Sequence, residues 1–162
     1  MKRILYVVGI TLVFVVSGLA QKGESDQTVD FQRYESYFQR NDSGLKGTTS
    51  YLAITSQARF DRIFHPAPTM GQNNFLPEKT FDTKIVVATI KRGRSLRTYD
   101  VEKVSAKNRR LYVWYKVKDG EEGGATYNSP LILAVDKGKY SQVIFMQDGK
   151  RAGAVPLRKT KR

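Results

Sequence analysis

KIVVATIKRGRSLRTYDVEKV, residues 84–104, carries the reading on which the fold turns. Its first part, IVVATI (85–90), is an unbroken apolar run rich in β-branched residues, the pattern of a buried central strand. TYDVEKV (98–104) resumes a strand pattern. Between them stand the cations Lys91, Arg92, Arg94 and Arg97. Antiparallel neighbours can be joined by a short loop, whereas parallel ones need a long crossover. The spacing therefore predicts two paired strands joined by a solvated turn at 91–97. The charge of that turn makes Arg92, Arg94 and Arg97 candidate binding residues for an anion.

Strand patterns continue on both sides. RLYVWYKVK (110–118) alternates strictly: Leu111, Val113, Tyr115 and Val117 point one way, and Tyr112, Trp114 and Lys116 the other. DGEEGGA (119–125) reads as a loop, LILAV (131–135) as a buried strand, and 143–146 as another. Asp148-Gly149 is a strong hairpin signal, with 151–155 as the returning strand. Upstream, 29–38 alternates loosely with Phe31, Tyr34 and Tyr37 as its apolar bodies, and NDSGLKG (41–47) is a loop. TSYLAIT (49–55) puts Tyr51 and Ala53 on one face and Leu52 and Ile54 on the other. Ser56 then caps a short helix, QARFDRIF (57–64), whose Phe60, Ile63 and Phe64 form one apolar stripe. Pro66 ends it, and a proline-rich loop of functional or mobile character spans 65–80. The fold expected is mainly β: an antiparallel β-sandwich or open barrel of about eight short strands with one short helix, from Gln57 to Phe64.

The ends of the chain have a different character. Lys2 and Arg3 precede the charge-free run ILYVVGITLVFVV (4–16), and Ser17-Gly18-Leu19-Ala20 supplies small residues before a cut between Ala20 and Gln21. That is the layout of a secretory signal peptide, and the run is short against the ~20 residues of a membrane span. The expected organisation is a signal peptide at 1–20, a flexible leader at 21–28, a single β-rich domain at 29–156 and a basic tail at 157–162. The 162 residues carry a formal net charge of +13, and the part after Ala20 stays strongly basic. Without cysteine, neither disulfides nor a lipid-anchored cysteine can form, so the expected location is periplasmic or secreted, and not that of a lipoprotein. The domain must rest on its apolar core alone.

Residue types select no reaction. The one histidine, His65, stands before a proline and reads as a surface or capping residue. No nucleophile-base set, metal-ligand spacing or phosphate-binding loop accompanies it, so no enzyme activity, metal or cofactor is expected. Glu121 and Glu122 are adjacent and read as solvated loop residues. Tyr112, Trp114 and Lys116 form a basic and aromatic strand face, which either stacks on sugars or bases or packs under a second layer. The charge attracts anionic polymers or lipid head groups, while nucleic acid is not an expected partner. Asn41-Asp42-Ser43 matches a glycosylation sequon.

Four segments in this order also carry a resemblance. They are the strand and helix YLAITSQARFDRIF (51–64), FDTKIVVATIKRG (81–93), the strand TYDVEKV (98–104) and NSPLILAV (128–135). Together they resemble the C-terminal domain family of PrcB-type protease-complex subunits. The chain departs from that pattern at Leu96-Arg97-Thr98-Tyr99, where the family has a Thr-Gly-Gly-Tyr turn and only the tyrosine is shared. The resemblance implies an exported noncatalytic domain, a binding or accessory subunit beside an envelope or secreted protein such as a protease. It carries over no catalytic residues. The alternative reading is an envelope protein that binds polyanions or glycans through the basic and aromatic face.

Overall fold

The structure is a computed structural model that describes residues 26–68 and 73–157. The expected signal peptide at 1–20 with its Ala20–Gln21 cut lies outside the described residues, as do 21–25 of the leader and the tail beyond Leu157. The domain is mainly β, as expected, with nine strands and two short helices among the described residues.

Chain order is β1 (Gln27–Thr28), β2 (Phe31–Tyr34), β3 (Tyr37–Gln39), β4 (Thr49–Ile54), α1 (Gln57–Ile63), β5 (Phe64–Pro66), α2 (Thr80–Thr83), β6 (Lys84–Lys107), β7 (Arg110–Asp136), β8 (Gln142–Gln147) and β9 (Lys150–Pro156). β1 takes the last two residues of the expected leader and pairs them with Ala106 and Ser105 of β6. The helix stops at Ile63, one residue earlier than expected, because Phe64 is already extended and pairs with Gln39. Ser56 occupies the N-cap position without a side-chain capping bond.

The main correction concerns the opening stretch. Residues 91–97 do not turn: β6 is one strand of 24 residues, antiparallel to a β7 of 27 residues along its whole length. The turn comes later, at Asn108 and Arg109, whose φ values of 49° and 59° make the left-handed bend that suits a two-residue hairpin. DGEEGGA is likewise part of β7 rather than a connecting loop, though it is irregular. Gly93 faces Tyr127 and Ser95 faces Glu122, so Arg94 alone stands opposite residues 123–126. Such bulges bend a strand and increase its twist, which lets one long hairpin turn a corner within a single sheet. Gly120 permits the close approach, since a Cβ there would come within 2.8 Å of the Leu96 carbonyl oxygen.

Beyond the corner the hairpin lies back on itself. Ile85, Val87, Leu131, Leu133 and Val135 from its base share one core with Tyr99, Val104, Leu111, Val113 and Tyr115 from its tip, joined by Val143 and Phe145 of β8. The predicted inward face of 111–117 is therefore the observed one. The fold-back also explains the parallel pairing of β7 with β8, a departure from the antiparallel expectation. A parallel return normally needs a long crossover. Here β7 itself supplies it, and residues 137–141 bridge the remaining gap, with Ser141 N–H donating to the Arg109 carbonyl at 2.7 Å. β4 and β9, at the two sides of this folded sheet, meet where the Tyr51 ring lies over Gly153, and the same ring packs on Phe145 of β8 with centroids 5.0 Å apart. Among the described residues no backbone pairing joins them, so the barrel is open at that seam.

A third layer covers the other face of the base. Leu52, Ile54, Val86, Ala88, Ile90, Ile132 and Ala134 pack against Phe60, Ile63 and Phe64 of the helix segment and against Tyr34 and Tyr37. IVVATI is thus a central strand between β4 and β7, as its unbroken apolar composition predicts, and it is buried on both faces. The described part of the 65–80 loop is tied down: Asn74 N–H donates to Ser36 Oγ at 3.0 Å, and Leu76 N–H to the Tyr37 hydroxyl at 2.8 Å.

Candidate functional site

The helical layer covers the base only as far as the β3–β5 ribbon. Past that edge, β6 and β7 continue into the bulged corner, and a groove of about 380 Å³ opens between ribbon and corner. Phe38 and His65 face each other across the ribbon, with rings 5.8 Å apart, and Leu96 and Tyr127 come from the corner. Gln39, Asn41, Thr126 and Asn128 supply polar lining. Four large apolar side chains are exposed among the described residues, and three of them line this groove: Phe38 at 58%, Leu96 at 55% and Tyr127 at 36%. A contiguous exposed apolar patch rimmed by polar groups marks an interaction surface more often than isolated apolar residues do.

The groove's walls are held by hydrogen bonds. The Arg92 guanidinium donates to Gln39 Oε1 at 2.8 Å, to the Gly47 carbonyl at 2.6 Å and to Ser50 Oγ at 3.2 Å. The Gln39 amide nitrogen donates to Ser43 Oγ at 2.8 Å. Arg92 therefore fastens the ribbon and the 41–47 loop to β6, and burial pulls its pKa below the usual arginine value. At the rim, Arg40 pairs with Asp42 at 3.0 Å, and that hydrogen bond holds the Asp42 carboxyl below the usual carboxylate range. Arg94 donates to the Gly123 carbonyl at 3.2 Å and lies 3.5 Å from Glu122.

The candidate residues read from the sequence do not converge. Arg92 lies on the ribbon side of the base and is engaged in the bonds just described. Arg94 stands at the bulge. Arg97 shares the face of Tyr99, where its Nε donates to Asp119 at 2.5 Å and its Nη1 is buried with no partner. Tyr112, Trp114 and Lys116 lie on the outer face of the hairpin tip, alternating with residues that point into the core. There Lys103 Nζ sits 5.2 Å from the centre of the Trp114 ring, and Lys116 pairs with Glu102 at 2.8 Å. The outer Tyr112/Trp114 face and the arginine stretch thus belong to different surfaces.

Sequence reasoning missed Phe38, Leu96 and Tyr127. One signal was present: Tyr37 and Phe38 are adjacent in a strand, so burying Tyr37 sends Phe38 outward. Leu96 was likewise an apolar residue inside a cationic run. His65 is exposed on β5 beside Phe38. Among the described residues, no three His, Asp or Glu side chains converge as metal ligands. Comparison with protein-family models, curated proteins and solved structures finds no match to this chain.

Proposed function

We propose that this chain is an exported, noncatalytic β-domain that serves as a binding or accessory subunit for another envelope or secreted protein. A protease is the example that the PrcB-type resemblance suggests. The observation that carries the reading is the gathering of Phe38, Leu96 and Tyr127 in one groove that nothing among the described residues covers. A protein contact needs an apolar centre with a polar rim, and the groove has both. The alternative, a polyanion or glycan site on the basic and aromatic face, has weaker support. Its residues are divided between surfaces, and Arg92, Arg97 and Lys116 are already paired.

The test uses the chain from Gln21 onward as bait for cross-linked capture from the native envelope. The expected result is a defined protein captured by the wild type and still held at high salt, because apolar contacts are weakly screened. Capture of no specific protein overturns the reading. Retention of anionic polymer alone, lost steeply as salt is added, supports the polyanion alternative instead.

A further inference from the structure

We infer that the groove takes an extended acidic segment of the partner, anchored by an aromatic side chain between Phe38, Leu96 and Tyr127. The inference rests on the accessory-subunit reading and adds the chemistry of what is bound. The volume, about 380 Å³, lies at the small end of the range for ligand pockets, which suits one or two side chains of a peptide rather than a folded surface. Phe38, Tyr127 and the His65 ring present faces and edges to a further ring, and aromatic pairs gain about 0.5–1.5 kcal/mol beyond the area they bury. Gln39, Asn41, Thr126 and Asn128 offer amide and hydroxyl groups to the main chain of an extended segment.

Charge complementarity gives the segment its sign. The whole chain carries +13, which steers acidic partners toward it. Arg94, two residues before Leu96 on β6, keeps its side chain 66% exposed and holds Glu122 only loosely at 3.5 Å. An incoming carboxylate can replace that partner. On the other rim, Arg40 is held by both carboxylate oxygens of Asp42, at 3.0 and 3.3 Å, so the loosely held Arg94 is the cation that meets a carboxylate of the segment.

The experiment measures fluorescence anisotropy of two labelled probes of matched length, polyglutamate and a random copolymer of glutamate and tyrosine, against the chain from Gln21 onward. The copolymer is expected to bind at least about ten-fold more tightly, the scale of one buried aromatic anchor. The double variant Leu96→Ser/Tyr127→Ala is expected to abolish that preference while leaving polyglutamate binding unchanged. Both side chains are exposed, so the fold persists. Thr126→Trp, which fills the groove without removing any of its apolar groups, is expected to do the same. Equal affinity for the two probes, an unchanged preference in both variants, or displacement of the copolymer by oligothymidine overturns the inference. Envelope capture separates the two proposals. A partner still captured by the groove variants overturns the segment inference and leaves the accessory reading standing. Tyrosine-dependent copolymer binding with no partner captured upholds the groove's chemistry and overturns the accessory reading.

Discussion

At the scale of single residues, the core contains a cost that its composition conceals. Tyr115 is fully buried, and its hydroxyl has no partner in hydrogen-bonding geometry although Tyr51 and Thr89 lie beside it. Tyr99 is buried too, but its hydroxyl donates to the Ser129 carbonyl at 2.7 Å. Burial pushes the Tyr99 pKa up to about 12 from the ordinary 10.0, and it raises that of Tyr115 further. A raised tyrosine pKa means that the fold favours the neutral hydroxyl. That contribution is complete below about pH 10 and is lost as pH climbs through the folded values. Lys91 acts in the opposite direction, because burial and then Arg97 lower its pKa from 10.5, and so does Arg92, but burial also raises Tyr34, Tyr37, Tyr51 and Tyr140, so the tyrosines outnumber them. Unfolding free energy is therefore expected to fall from about pH 10 upward. Tyr115→Phe, which removes an unpartnered hydroxyl, is expected to change stability at neutral pH by less than about 1 kcal/mol and to make the alkaline fall shallower. Urea unfolding across that pH range reads both effects. A loss of about 2 kcal/mol or more at neutral pH would show that the hydroxyl is bonded after all.

At the scale of elements, the seam between β4 and β9 is closed by side chains. Gly153 sits under the Tyr51 ring, and any Cβ there would run into it. Gly153→Val is accordingly expected to cost about 1–3 kcal/mol, as overpacking does. Gly124 in the bulge has nothing within 4 Å of its Cβ position, so Gly124→Ala is expected to stay within about 0.5 kcal/mol of wild type. Denaturation midpoints of the two variants make the comparison, and equal midpoints would mean that the seam contributes nothing. Elements also show what is readable locally. The alternation of 111–117, the apolar run 85–90, the stripe of Phe60, Ile63 and Phe64 and the Asp148-Gly149 hairpin were all legible, because each depends on a period or turn chemistry carried by adjacent residues. The stretch 91–97 was not. Its cations and glycine resemble a turn, yet pairing with 119–129 of β7 keeps it extended. Nothing in seven residues records a partner so far along the chain.

At the scale of the whole molecule, the fold-back of one long hairpin sets the distribution of stability. Residues 86–90 and 132–135 have paired strands on both sides and apolar layers on both faces. Residues 119–126 are exposed and interrupted by bulges. Amide hydrogen exchange is expected to be slowest in the first two segments and fastest within the last. Protection at 119–126 equal to that at 132–135 would contradict this account of the corner. The candidate site is a product of the same corner. Phe38 lies far from Leu96 and Tyr127 in sequence, and the three meet only because the bulged strands bend past the edge of the ribbon. The amino-acid sequence alone determined the mainly β class, the buried central strand at IVVATI, the inward face of 111–117 and the basic charge, all properties of neighbouring residues. Only the tertiary structure decided that the arginine stretch is strand rather than turn, that β7 pairs with β8 in parallel, and that the apolar groove exists. Each of these depends on where a strand meets a distant partner, and a bend of a few residues settles that after local preferences have been satisfied.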